Sequence, residues 1–236
     1  MTRNWMEGMV QWPPIRPDFP IDAHHFMLVT VDMQNYLWDP ACGLAKVIRE
    51  DMPEIADYYF PRLKDIVIPN HIKLIDFLRK NSIPLIYITV GPEREDGKDF
   101  LGLRQKASEI SQSKTNLPTI PVKGTYAHNI IEAIAPLQNE LVLNKLTRSA
   151  FTSTGLDQIM RNMGINTVAF TGAATNVCVE TTARDAADRG YRCILVEDAC
   201  ATLDRATQHA TMQTWHRVFG KVMSTNELIG ELNTKR

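Results

Sequence analysis

Cys178, Lys145 and Asp32 are the three side chains in this 236-residue sequence whose types best suit the cleavage of a strong covalent bond. A thiol becomes a nucleophile when it loses its proton, and a free cysteine is only a few per cent thiolate near neutral pH. A helix N-terminus and a neighbouring ammonium both favour the thiolate. A carboxylate beside them can take the thiol proton and return it to a leaving nitrogen. That return matters for an amide, because an amine leaves poorly unless it is protonated. The oxyanion of a tetrahedral intermediate also needs donors, and backbone N–H groups at a helix start supply them, typically for ~3–4 kcal/mol each. Taken singly, each residue has a plainer reading: Asp32 as a strand-end cap, Lys145 as a surface charge, Cys178 as a small buried hydrophobe.

The elements around them decide whether the three can meet. F-M-L-V-T-V-D (26–32) reads as a buried strand that closes on Asp32. P-L-I-Y-I-T-V (84–90) is a second strand, and E-L-V-L-N-K (140–145) a third that closes on Lys145. N-T-V-A-F-T-G (166–172) is a fourth, and Cys178 lies just beyond it in the first turn of a helix over 176–190. Strands over 191–198 and 221–223 complete the set. Helices are expected over 69–81, with Ile72, Ile75, Phe77 and Leu78 on one face, and over 154–164, 204–219 and 225–232. Strands alternating with helices indicate a parallel sheet covered on both faces. Such sheets bind ligands beyond the carboxyl ends of their strands, where all three residues fall. The connections 33–68 and 91–125 leave those same ends and are read as long loops over the site. Residues 1–25, proline-rich and without periodicity, read as an irregular arm, and 26–236 as a single domain.

On four blocks the chain resembles the isochorismatase-like cysteine hydrolases. They are V-D-M-Q-N (31–35), V-K-G-T-Y (122–126), N-K-L-T-R-S-A-F (144–151) and G-A-A-T-N-V-C-V-E-T-T-A-R-D-A-A-D-R-G-Y (172–191), in the family's order. The resemblance implies a Rossmann-like three-layer α/β/α fold with a six-stranded parallel sheet in the order 3-2-1-4-5-6. It implies a catalytic triad of Asp32, Lys145 and Cys178, a cis peptide before Ala174, and an oxyanion hole built from the N–H groups of Ala174 and Cys178. It also implies hydrolysis of a C–N bond in a small amide or ureido compound through a thioester, and assembly as a homodimer or homotetramer. Isochorismatase itself lacks the cysteine, so that activity is disfavoured. The nicotinamidase metal pattern after the second strand is missing from Y-I-T-V-G-P-E-R-E-D-G-K-D-F (87–100), so no metal and no cofactor is expected. The block around Cys178 is most similar to ureidoacrylate and biuret-type enzymes. Trp215 stands where the biuret-type enzymes carry a glutamine.

For the substrate pocket the sequence offers Gln34, Tyr36, Trp38, Arg148, Phe151 and Trp215, with Arg94 or Arg148 as a partner for a substrate carboxylate. The six histidines form no ligand cluster in the sequence, and Cys42, Cys193 and Cys200 read as inert thiols. A net charge of -1 provides no field for nucleic acid or an anionic membrane. No apolar stretch approaches the ~20 residues of a membrane span, and no signal-like segment follows the first residues, so a reducing cytoplasm is expected. Two other functions fit the same fold: a catalytically silent binding or assembly module, and a thiol redox sensor built on Cys178.

Overall fold

Six apolar runs form the sheet: β1 (Phe26–Val31), β2 (Leu85–Val90), β3 (Leu141–Lys145), β4 (Thr167–Ala173), β5 (Arg192–Ala201) and β6 (Gly220–Met223). The computed structural model describes residues 4–9, 17–116 and 118–234. All strands are parallel and lie in the order β3-β2-β1-β4-β5-β6. This is the expected arrangement. Every residue of β1, β2 and β4 is buried, as central strands covered on both faces must be.

Side chains alternate across a strand, and here they divide between two cores. Phe26 and Leu28 of β1 enter one with Tyr87 and Val90. Met27, Val29 and Val31 enter the other with Ile86 and Ile88. Helices α1 (Asn35–Trp38), α2 (Gly43–Asp51), α3 (Pro53–Arg62) and α4 (Ile68–Lys80) cover the first core. A further helix, α5 (Gly102–Thr115), follows β2 and packs on α2. The second core lies under α6 (Ala150–Ser153), α7 (Leu156–Asn162), α8 (Glu180–Asp188) and α9 (Arg205–Val218). The last helix, α10 (Thr225–Thr234), returns to the first core through Leu228 and Leu232.

The two long connections are not loops. Residues 33–68 are mostly helical, and 91–125 contains the fourteen residues of α5. Proline at 53, 61 and 69 obscured the first of these. Pro53 sits at the start of α3, where its missing N–H has no intrahelical partner to lose. Pro61 and Pro69 flank a π-helical turn (Leu63–Val67) that carries α3 continuously into α4. The buried stripe of α4 is Ile68, His71, Leu74, Ile75 and Leu78, whereas Ile72 is exposed. His71 holds its place by a 2.9 Å hydrogen bond to the Val67 carbonyl, and burial pushes its pKa down to about 4, so it occupies the stripe as a neutral ring.

The N-terminal arm is anchored more deeply than an overlying strap. Trp5 is 2% exposed in the second core, edge-on to His216, and Ile21 is fully buried in the first. Residues 1–3 and 10–16 of the arm lie outside the described residues. Among the described residues, no helix is long and apolar enough to cross a membrane.

β5 carries an irregularity that shapes the sheet next to the site. Phe170 pairs with Leu195, but Gly172 pairs with Cys200, so β5 bulges between them. The freed carbonyls are met by Arg62, which donates to Glu197 and Cys200, and by Asn70, which donates to Asp198.

Gly172 fixes the approach of β4 to β1. Its φ is +121°, and a Cβ there would fall 1.9 Å from the Val31 carbonyl oxygen. Both the conformation and the space exclude a side chain. Gly172→Ala is therefore expected to destabilise the protein by about 4 kcal/mol or more, measurable as a fall in denaturation midpoint. A change within 0.5 kcal/mol would show that the strands do not need this contact.

Candidate active site

Asp32 follows directly on β1, opposite the end of β4. Its φ of +54° is a left-handed conformation that Asp tolerates better than most side chains. The backbone N–H of Asp32 donates to the Ile88 carbonyl at 2.8 Å, and the N–H of Gln34 donates back to the Asp32 carbonyl at 2.9 Å. The chain therefore turns sharply as it leaves the sheet, and the carboxylate is fixed at the strand end.

Lys145 ends β3 and pairs with Val90 of β2, two strand positions from β1. That separation is roughly 10 Å, a gap the lysine stem and the aspartate side chain bridge together. Lys145 Nζ donates to Asp32 Oδ2 at 2.8 Å, with the two side chains 0% and 1% exposed. Asp32 Oδ1 is buried and has no hydrogen-bond partner.

Cys178 lies in a π-helical turn (Thr175–Val179) that leads into α8. The turn begins just after a cis peptide between Ala173 and Ala174. It is pinned from three sides. Thr175 Oγ1 donates to Gln208 Oε1 of α9 at 2.7 Å, the Thr202 hydroxyl donates to Asn176 Oδ1, and Thr182 Oγ1 donates to the Cys178 carbonyl at 2.7 Å. A side chain carried on such a braced turn keeps its position relative to the carboxylate.

The electrostatics differ from the expectation of a pre-formed thiolate. Burial pushes the Cys178 thiol up to about 11, and the charge of the Asp32 carboxylate pushes in the same direction. Lys145 and Arg104 pull the other way and do not prevail. The reason is that Lys145 is paired with Asp32, so the sulfur faces a near-neutral couple instead of a free cation. At rest Cys178 is a thiol with a carboxylate close to its proton. Tyr36 is likewise held protonated, first by burial and then by the charge of Asp32, with Arg104 opposing.

The residues expected to shape the pocket divide. Tyr36 is buried within the field of Asp32 and Cys178, and Trp38 is half-buried against the first core. Gln34 is fully buried, but its amide belongs to the backbone. It donates to the carbonyls of Val90 and His128 and accepts from the Val90 N–H at 2.9 Å, tying the end of β2 to the 126–128 turn. The Phe151 ring is buried in the second core, where it meets Tyr191 and the Arg189 guanidinium at the C-terminal end of α8. Trp215 is fully buried in the second core, stacked on Phe219 and donating to the Lys221 carbonyl at 3.1 Å. Arg94 is held in a two-point pair with Asp96 on the surface, and Arg148 is exposed.

Two contributors escaped the sequence reading. Gln208, in an amphipathic helix of ordinary composition, braces the Cys178 turn through Thr175. Arg104, in the polar run G-L-R-Q-K, looks no different from Lys106 in one dimension. The four cysteines are free and buried, and the described residues contain no group of three or more His, Cys, Asp or Glu side chains arranged to hold a metal ion. A cavity of about 620 Å³ lies beside the β5 bulge, lined by Arg62, Asn70, Asp198, Gln208 and His209 among others, and contains none of the three reactive residues.

Comparison with known proteins assigns the family. The chain is 27% identical over 232 residues to a ureidoacrylate amidohydrolase of Agrobacterium fabrum, covering 93% of this chain and 96% of that one. A cysteine hydrolase from Pseudomonas syringae pv. phaseolicola superposes with a TM-score of 0.78 at 26% identity, over 95% of this chain and all of that one. An N-carbamoylsarcosine amidase from Thermoplasma acidophilum gives a TM-score of 0.62 at 28% identity, over 86% and 97% of the two chains. Residues 26–227 match the isochorismatase domain, and the chain belongs to the isochorismatase family.

Proposed function

We propose that this protein is a cysteine-dependent amidohydrolase that cleaves a C–N bond of a small ureido, carbamoyl or amide compound through a thioester intermediate. The observation that carries the reading is the buried Asp32–Lys145 pair beside the Cys178 thiol, with Asp32 Oδ1 unpartnered. The ureidoacrylate amidohydrolase and N-carbamoylsarcosine amidase relatives support the choice of bond.

The proposed course keeps every proton accounted for. The Cys178 sulfur attacks the substrate carbonyl carbon as its proton passes to Asp32. Lys145 holds the Asp32 carboxylate in place through their ion pair as that proton is passed on. The N–H groups of Ala174 and Cys178 hold the oxyanion. On collapse the C–N bond breaks, Asp32 protonates the departing nitrogen, and ammonia or an amine leaves. Water then attacks the thioester carbonyl as Asp32 takes its proton; the C–S bond breaks, Asp32 returns the proton to the sulfur, and the acid product leaves with the thiol restored. A thiol resting near pKa 11 suits this order, because attack and deprotonation are coupled instead of relying on a standing thiolate.

No cofactor is needed for this cycle, and the reading places it in one catalytic domain from residue 26 onward, acting in the cytoplasm as a homodimer or homotetramer. The test is an ammonia-release panel of ureidoacrylate, 3-ureidopropionate, other N-carbamoyl amino acids, biuret, nicotinamide and simple aliphatic amides. Turnover is expected among the ureido and carbamoyl compounds. Failure to hydrolyse any member would remove the reading.

A further inference from the structure

Arg104 stands apart from the other arginines near the site. It lies in the first turn of α5, half-buried, with its guanidinium 5.4 Å from the centre of the Phe100 ring. Its Nη1 is buried and makes no hydrogen bond. Among the described residues, no carboxylate lies within ion-pairing distance of it. By contrast Arg62 donates to backbone carbonyls, Arg79 is paired with Glu140 and Arg94 with Asp96. A buried guanidinium N–H without an acceptor is costly, and the fork it belongs to matches the two oxygens of a carboxylate.

Its position faces the chemistry. The positive charge of Arg104 is felt at both the Cys178 thiol and the Tyr36 hydroxyl. α5 packs on α2, the helix that follows the Tyr36 segment, and Phe100, whose ring the Arg104 guanidinium faces, shares the first core with Tyr36. The remaining groups there cancel: Asp32 with Lys145 as an ion pair, the thiol and the phenol as neutral groups. Among these described groups Arg104 is left uncompensated, which complements a substrate carrying a single negative charge. The nearest rival acceptor in sequence, Asp99, accepts from the Glu93 N–H through Oδ2; its buried Oδ1 makes no hydrogen bond and forms no ion pair with Arg104.

We propose that Arg104 anchors a carboxylate of the substrate, so that the compound hydrolysed is an anionic ureido or amido acid in preference to its neutral counterpart. This rests on the amidohydrolase reading and narrows it. It also replaces Arg94 and Arg148 as the carboxylate partner, since the first is paired and the second is exposed.

The test compares 3-ureidopropionate with its neutral amide, 3-ureidopropionamide, on the full chain and on Arg104→Gln and Arg104→Lys. The wild type should favour the acid. In Arg104→Gln the acid-to-amide ratio of kcat/KM should fall roughly 10–100-fold, chiefly through KM for the acid, and Arg104→Lys should keep part of the preference. A merely structural role, or an effect only on the thiol, would depress both substrates alike and overturn the proposal. So would a wild type with no preference for the acid. The same compounds are also tested as protectants of Cys178 against iodoacetamide, which needs no turnover. Protection by the acid, weaker by the amide and lost in Arg104→Gln, supports the anion site even if neither compound is hydrolysed, an outcome that would count against the amidohydrolase reading alone. Equal protection by both, or none, overturns the anion site.

Discussion

Cys178→Ser is expected to lower turnover by about 10⁴-fold or more while the protein stays folded. The thiol is already held up to about 11 by burial and by Asp32. A serine hydroxyl starts from a far higher pKa, and the same enclosure would disfavour its alkoxide further. The carboxylate that can help a thiol give up its proton is then asked for a much harder transfer. The structural consequence is smaller, because the side chain is nearly isosteric and Thr182 hydrogen-bonds the Cys178 backbone carbonyl, not the sulfur. A loss of about 1–2 kcal/mol covers an added buried hydroxyl, or roughly 2–8 °C in Tm for a chain of this size. Initial rates and a thermal melt on one preparation test both halves. A serine variant retaining more than about 1% of wild-type turnover would remove the covalent role.

Breaking the ion pair is expected to cost both stability and activity. With side chains 0% and 1% exposed and 2.8 Å between Nζ and Oδ2, neither partner has water to fall back on. Lys145→Met leaves a buried carboxylate with one oxygen already unpartnered, and Asp32→Asn leaves a buried ammonium facing a neutral amide. Each single variant should lose about 3–5 kcal/mol, or roughly 6–20 °C in Tm. The double variant should recover most of that loss, because no lone charge remains, yet stay inactive without its proton carrier. Lys145→Met should also move Cys178 alkylation to higher pH, since the lysine field is one of the two influences that lower the thiol. Single variants that melt with the wild type would mean the pair is not buried as described.

The sheet was legible because its signals are local. Each strand is an apolar run closed by a polar residue or glycine, and the parallel order follows from helices between them. The meeting of Asp32, Lys145 and Cys178 was legible as three residues at strand ends, and the four sequence blocks sharpened it. What escaped depends on long-range packing. The helices between Asn35 and Val67 are interrupted by prolines whose tolerance comes from their position at a helix start and beside a π-turn. Trp215 and Phe151 are large apolar side chains that could have walled a pocket, and only the fold assigns them to the core. Gln34 lies two residues from the carboxylate, but the left-handed turn at Asp32 breaks the strand alternation and sends its amide to the β2 backbone. The thiol also could not be judged from its helix start alone, because burial and the neutralisation of Lys145 outweigh that field.

The account turns on a bond between the substrate carbonyl and one sulfur. Acid quench across the first turnover of a ureido acid, followed by peptide mass mapping, looks for that bond directly. The mass of the acyl fragment is expected on the peptide containing Cys178 and on none containing Cys42, Cys193 or Cys200, decaying as product forms. Product accumulating while the Cys178 peptide stays unmodified at every time point would contradict it.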